Sequence, residues 1–389
     1  MSMQQVCKEP YWKLSTWFSG PEFTAFRQGR FIVVELQGVH RVITTSACVG
    51  GLSVKPTHLV NHQSCEAKDH SDRYARIRGL GLEGYHREVC GELELDPEHA
   101  AVMGTAANMT YAAHEFDSHG HIRVDAIVTA GVEGNACCAG DPAQWEETSS
   151  GWNKLPDVAG TINTMVMLNQ PLRPEAQVRA LLTITEAKTA ALFELGVSSR
   201  YSQDLATGTG TDQVCFASPA DESRYVYTST SPHTKLGELI GCVVRKATRD
   251  ALRWQNGLEP SITRSLFHAL RRFGFTETEF MNAMRARLNE SAVVLLEKNK
   301  NAVMYEPQVA AAAYAFAGVW DRVRFGVLPL SSAREMFRQQ AATMSASLAA
   351  RPQSWHQFWQ QLEVRLEQPL EAIYDAVALG WTSKWASTD

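Results

Sequence analysis

The 389-residue sequence predicts an α/β protein: a mixed α+β layered-sheet domain over residues 30–256, preceded by a segment 1–29 and followed by an all-helical domain, 257–389. Three observations carry this. Short runs rich in β-branched and aromatic residues, separated by Gly, Thr and Asn, recur from about residue 30 to 220. A strongly marked helix lies among them. After about residue 235 the strand signals all but vanish and helical periodicity takes over.

The strands read in order as "RFIVVELQ", "HRVITTSA", "MTYAAHEF", "IRVDAIVTAGV", "TINTMVMLNQ" and "DQVCFAS". "MTYAAHEF-DSHGH-IRVDAIV" reads as a hairpin with its polar cluster at the tip. Part of "DPEHAAVMGTAANM" reads as helix, and "PEAQVRALLTITEAKTAALFELG" does so strongly. Pro174 and Glu175 suit its first turn and Gly196 its stop. On that helix Val178, Leu181, Lys188, Leu192 and Leu195 share a face, so Lys188 projects from an apolar stripe. A lysine so placed usually reaches out to water; otherwise it needs a buried anion. The segments beginning at 236, 261, 276, 307, 331 and 354 are helical, the third opening with a Thr276–Glu279 capping box. "NGLEPS" marks the boundary near 257–260, and Trp320, Trp355 and Trp359 fit helix-packing positions.

Composition narrows the function. With 44% hydrophobic and 20% charged residues the chain is an ordinary globular one, long enough for about two to three domains. A net charge of -5 without a basic block leaves nucleic-acid binding no electrostatic source. No apolar run approaches the roughly 20 residues that span a bilayer, and "MSMQQVCKEPYWKL" lacks the basic and apolar regions of a signal peptide. A cytoplasmic protein with neither nucleic-acid nor membrane partner is expected. Its oligomeric state is left open. Eight cysteines without C-x-x-C spacing argue against zinc fingers and disulfides, the adjacent Cys137 and Cys138 being the lesser candidates for a reactive thiol. His114, His119 and His121 read as a solvated hairpin tip, and no metal site is predicted.

The most unusual stretch is "LATGTGTDQVCFA", residues 205–217. Two glycines and three threonines precede one carboxylate, Asp212, and then a buried strand begins. Such a loop either turns tightly or converges backbone N–H groups on an anionic oxygen. Four further clusters share its half of the chain: "TAGVEGNACCAGD" (129–141), "AGTINT" (159–164), "TEAKTAA" (185–191) and "SPHTKLGELIG" (231–241). With "ATGTGTD" and the upstream "SACVGGL…LVNHQ" (46–63), this ordered set resembles the adenosylcobinamide amidohydrolase family over roughly residues 30–250. The resemblance implies hydrolysis of the amide between a corrinoid propionate and aminopropanol, releasing a cobyric acid form for salvage. It implies a cobalt corrinoid as substrate; no cofactor is predicted. The helical region after 257 lies outside the family pattern. Two readings remain beside it: an amidohydrolase of the same scaffold with another substrate, and a non-catalytic corrinoid or tetrapyrrole binder.

Within the matched motifs, Glu186 or Asp212 could serve as general base and Lys188 as electrophilic donor or as partner to one of those acids. These three are the expected catalytic set, meeting in one pocket. Asn135, Thr161 and Asn163 are neutral donors of the oxyanion-hole kind, joined by the backbone of Thr207, Gly208, Thr209, Gly210 and Thr211. Asn61, His62, Asp141 and His233 complete the candidate substrate contacts, Asp141 reading equally as a turn cap. Thr161 directly follows Gly160, the order found in enzymes that cut their own chain before a nucleophilic threonine. The plain start of a strand is the preferred reading there.

Overall fold

The structure is a computed structural model and describes residues 10–66, 69–143, 145–149, 151–154 and 160–386. The chain divides into two compact units at Glu259/Pro260. In the first unit the strands are β1 (Thr16–Ser19), β2 (Phe23–Gln28), β3 (Phe31–Leu36), β4 (His40–Thr44), β5 (Gly51–Ser53) and β6 (His58–Gln63). Helix α1 (Ser71–Glu92) follows, then β7 (Ala100–Thr105), β8 (Ala113–His119), β9 (Ile122–Gly131) and β10 (Ala136–Cys137). A small hairpin, β11 (Trp145–Thr148) with β12 (Gly151–Lys154), leads to β13 (Thr161–Leu168) and α2 (Pro174–Glu194). The unit ends with β14 (Gly208–Thr209), β15 (Gln213–Pro219) and α3 (Lys235–Asn256).

Two large sheets form, ordered β1-β2-β3-β6-β7 and β5-β4-β15-β13-β9-β8, beside the two-stranded pairs β10-β14 and β11-β12. Their facing sides interdigitate: Ile32, Val34, Leu59 and Met103 meet Ile127, Met165, Met167 and Cys215 in one buried cluster. The other side of the larger sheet packs Ile162, Val166 and Phe216 against Ile184 of α2 and Ile240 and Val244 of α3. The outer side of the smaller sheet buries Val33 and Val60 with Cys90 near the end of α1. The layering is therefore helix, sheet, sheet, helices. All eight residues of β13 are buried because both of its faces are covered.

Register decides where chemistry can gather. β13 runs parallel to β15, with Asn163 opposite Gln213, and antiparallel to β9, with Thr161 opposite Gly131. The starts of β13 and β15 thus lie beside the end of β9. Cross-sheet bonds bring the ends of β6 and β7 to the same place: Gln213 accepts the Gly104 N–H at 3.1 Å.

Several sequence expectations need correction. β1 and β2 belong to the smaller sheet, so described residues of the 1–29 segment are part of the layered unit; residues 1–9 lie outside the described residues. Ala100–Thr105, read as part of a helix, is β7, a strand paired in parallel with β6. Helix α1 carried no strong signal because Gly79, Gly81, Gly84 and Gly91 interrupt its pattern, and Gly81 kinks it at φ +69°. On α2 the buried face is Ala176, Ala180, Ile184, Ala187 and Ala191, whereas Val178 is exposed. Of the expected stripe, Leu192 and Leu195 are buried and Leu181 packs against the same core; the small residues, which let the helix approach the sheet closely, extend that face. The hairpin turn is Gly120–His121, the last two residues of the expected tip, while Asp117, Ser118 and His119 belong to β8.

Among its described residues the second unit's elements are all helices, around a core containing Phe275, Phe280, Phe316 and Phe337. Thr276 caps its helix by accepting the Glu279 N–H at 3.1 Å. The long segment after it breaks at Leu288–Asn289, where Asn289 caps a new helix. Trp320, Trp355 and Trp359 pack against this core.

Candidate active site

Asp212 organises the glycine–threonine loop. Its Oδ1 accepts the Ile162 N–H at 3.0 Å and the Thr209 hydroxyl at 2.5 Å. Its Oδ2 accepts the Thr209 N–H at 3.1 Å and the Lys188 ammonium. Four donors occupy the roughly four lone-pair sites of a carboxylate. None is left to take a proton from water, so the group orients its neighbours and is not placed as a general base. The loop does converge on an anionic oxygen, but that oxygen is its own.

Lys188 leaves the apolar side of α2 for this carboxylate and does not reach out to water; the two side chains are only 13% and 17% exposed. The alternative that needed a buried anion is the one realised. Gly208 is required by contact: a Cβ there would lie 2.5 Å from Asp212 Oδ2 and 2.7 Å from Lys188 Nζ. Glu186, two residues before Lys188, is exposed, and among the described residues its side chain joins neither Lys188 nor Asp212, so two of the three expected catalytic residues are brought together. A half-turn of helix separates the two faces.

Beside the pair lies a second cluster. Thr161 and Thr211 join their hydroxyls, and the Thr211 hydroxyl also donates to the Gly160 carbonyl at 2.8 Å. Asn135 donates to that same carbonyl from Nδ2 at 3.0 Å and accepts the Tyr201 hydroxyl at 2.9 Å on Oδ1. Gly210 donates its N–H to the Asn135 carbonyl at 3.3 Å. Ile162 N–H and Lys188 share the Asp212 carboxylate, so the Gly160–Thr161 junction and the ammonium meet across one side chain. Tyr201 was missed from sequence; "SSRYSQD" lies between two matched motifs, and a tyrosine after a helix end is the one signal it offers.

The remaining candidates support this end of the sheets from below or stand apart. Asn61 donates to Thr129 Oγ1 at 2.8 Å and accepts from Asn163 Nδ2 at 2.9 Å, tying the two sheets together. Asn163 also reaches the Gly104 carbonyl at 3.2 Å, and its Oδ1 has no partner. Thr207 Oγ1 accepts the Ala139 N–H at 2.9 Å, and Thr189 donates to the Thr207 carbonyl at 2.9 Å. Asp141 closes a turn, accepting the Cys138 N–H at 2.7 Å and the Ser199 hydroxyl at 2.6 Å. Burial pushes that carboxyl up, but Ser199, Ser202 and the Cys138 N–H together hold it below the usual carboxylate range. His233 is exposed in the turn before α3 and bonds to no member of the cluster.

His62 is not open to a ligand. It is buried, and its two ring nitrogens face the Met103 carbonyl and the Tyr85 hydroxyl, each at 2.9 Å. Burial pushes the imidazole down to about 3, against the pull of the Met103 carbonyl. The folded value lies below the unfolded one near 6.5, so its contribution is complete above that pH and is lost as the pH falls toward 3. Denaturant titrations of the wild type should lose about 2 kcal/mol from this group between pH 7 and pH 5. A His62→Gln variant should lack that part of the slope. Parallel curves for the two proteins would refute a neutral, buried His62.

Other sequence candidates find ordinary settings. Burial, then Asp212 and Asp141, push the Cys137 thiol up, and burial does the same for Cys138, which disfavours a reactive thiolate at either. His119 and His121 are exposed, whereas His114 bonds the buried Asp125 at 2.9 Å with Arg123 beside it. Among the described residues no group of three or more His, Cys, Asp or Glu side chains could hold a metal ion, and no helix is long and apolar enough to cross a membrane.

Comparison with known proteins agrees with this geometry in extent. The family described as CbiZ, adenosylcobinamide amidohydrolase, matches residues 17–260, well over half the chain. The "Uncharacterized protein MJ1613" of Methanocaldococcus jannaschii is 34% identical over 188 residues, covering 45% of this chain and 71% of that protein. Among solved structures, the PH0078 protein from Pyrococcus horikoshii OT3 aligns at 12% identity and TM-score 0.31, over 62% of this chain and 83% of that one. A beta-aminopeptidase from a Burkholderia species aligns at 11% and 0.29, over 59% and 80%. These structural likenesses are too loose to bear on the chemistry. The family match spans every segment that builds the cluster, from Asn135 to Asp212. The chain belongs to the adenosylcobinamide amidohydrolase family, and it hydrolyses the corrinoid amide to a cobyric acid form in corrinoid salvage.

Proposed function

We propose that this hydrolysis takes place where Lys188 and Asp212 meet the Gly160–Thr161 junction. The single observation that carries the reading is convergence. Four segments far apart in sequence, around 135, 160, 188 and 207–212, meet at one end of the central parallel strands β13 and β15. Lys188 has N–H bonds to spare beyond the one Asp212 accepts, and a fixed ammonium suits the oxyanion of a tetrahedral intermediate. Asp212 holds it in place. The Thr161 and Thr211 hydroxyls supply the position for the attacking oxygen. Hydroxyl, amide and ammonium groups suffice for these roles, so no resident cofactor is invoked; the cobalt arrives with the substrate.

A groove of about 840 Å³ supports a large substrate. It is lined by the "SACVGGL" segment, including Val49 and Leu52, and by Leu82 of α1. The residue before that segment bonds β15 two positions after Asp212: Thr45 N–H donates to the Val214 carbonyl at 3.0 Å. The macrocycle is assigned to this groove and the amide-bearing arm to the cluster. Incubation with adenosylcobinamide and detection of released aminopropanol test the reaction. A Leu82→Arg variant should raise KM about tenfold with kcat little changed, the mark of lost uniform binding. An unchanged KM would remove the macrocycle from the groove. A cytoplasmic protein serving a small-molecule corrinoid, with no nucleic-acid or membrane partner, fits the charge balance.

A further inference from the structure

The geometry points to a second reaction at the same place: the chain cuts its own Gly160–Thr161 peptide bond, and Thr161 thereby becomes an amino-terminal nucleophile. The inference rests on reading the cluster as the hydrolytic site, but its test does not depend on turnover.

The Gly160 carbonyl is an unusual acceptor. It receives two side-chain donors, Asn135 Nδ2 at 3.0 Å and the Thr211 hydroxyl at 2.8 Å, and no role in the fold requires both. Two converging donors are what a developing oxyanion needs. The residue after this carbonyl carries a hydroxyl, and that hydroxyl is joined to Thr211, one of the two donors. Only glycine fits before it. A Cβ at 160 would lie 2.9 Å from the Gly131 carbonyl oxygen and 3.0 Å from Asn135 Cβ, so close approach of Asn135 depends on the missing side chain. Asn135 itself is held by the Tyr201 hydroxyl. A plain strand start would need none of these arrangements.

The step balances with water as the one co-reactant. Thr161 Oγ1 adds to the Gly160 carbonyl carbon, and the Asn135 and Thr211 donors hold the oxyanion. The C–N bond then breaks, and the hydroxyl proton ends on the Thr161 nitrogen. An ester now joins Gly160 to Thr161 Oγ1. Water hydrolyses it, leaving a carboxylate on Gly160 and both a free hydroxyl and a free α-amine on Thr161. That amine lies on the same residue as the hydroxyl and can take its proton in the corrinoid reaction, the base that neither Asp212 nor Glu186 provides.

Denaturing mass spectrometry of the purified full-length protein, sampled during incubation, tests this. The expected result is two polypeptides, one ending at Gly160 and one beginning Thr161-Ile162-Asn163. Thr161→Ser should still cut, and Thr161→Val should stay whole. Asn135→Ala and Thr211→Val should slow cutting about 100-fold, the scale of a lost oxyanion donor. Circular dichroism separates a misfolded variant from an uncut one, and Thr161→Ser serves as the folded control. A wild-type chain that remains one polypeptide of 43.1 kDa while releasing aminopropanol overturns self-cleavage alone. A cut chain that never releases aminopropanol leaves self-cleavage standing and overturns the placement of the corrinoid reaction.

Discussion

Replacing Lys188 by methionine is expected to lower kcat for aminopropanol release at least about 100-fold, the scale of a positioned charged group in the transition state. Methionine keeps most of the apolar stem and removes the ammonium. Asp212 would retain three donors, Ile162 N–H, Thr209 N–H and the Thr209 hydroxyl, so the loop should stay closed. The loss should therefore fall on rate, with KM and the urea midpoint changing much less. Asp212→Asn should behave differently. Its amide nitrogen must face at least one of four donors, which costs about 1–3 kcal/mol for each buried group left unsatisfied. Stability and rate should fall together there. Wild-type kcat in Lys188→Met would show that the pair only holds the loop.

Gly208→Val should abolish measurable turnover in a chain that still folds. The new Cβ occupies the space between Asp212 Oδ2 and Lys188 Nζ, and neither group can keep its place. Gly210 provides the contrast. A Cβ there would come no nearer than 3.1 Å, to Asn135 Oδ1, a contact a small shift relieves. Gly208→Ala should thus cost far more activity than Gly210→Ala, although both lie in one short motif. Neither glycine is required by a positive φ, so the ranking isolates contact from backbone conformation. Equal activities for the two alanine variants would place the reacting atoms elsewhere.

Much of this arrangement was legible beforehand, and its limits have physical causes. The strands around β9, β13 and β15 carry β-branched runs with turn residues at their ends, and these survive burial on both faces. Lys188 was found because it broke an apolar pattern. Asp212 was found because it was the one acid in a glycine-rich loop. Glu186 entered with Lys188 by proximity in sequence, yet two residues along a helix is nearly opposite in space. His62 sits in a matched segment for packing: its neighbours are a carbonyl and a tyrosine hydroxyl drawn from distant parts of the chain. Tyr201 and the bridge from Asn61 through Asn163 to Gly104 are products of register between strands. No local periodicity encodes them.

The position of β13 has one more consequence. It is an inner strand, held along all eight residues by β9 and along five by β15, and its first residue is Thr161. A polypeptide end at that point would interrupt no ladder. The two pieces would remain joined in one sheet, since β15 and β13, which follow the break, lie between β5-β4 on one side and β9-β8 on the other, all of which precede it. They should co-migrate as a single particle and melt together, separating only in denaturant. The same strand order makes this junction a natural seam for a split gene: the halves, produced together, have a sheet to complete only in each other's presence.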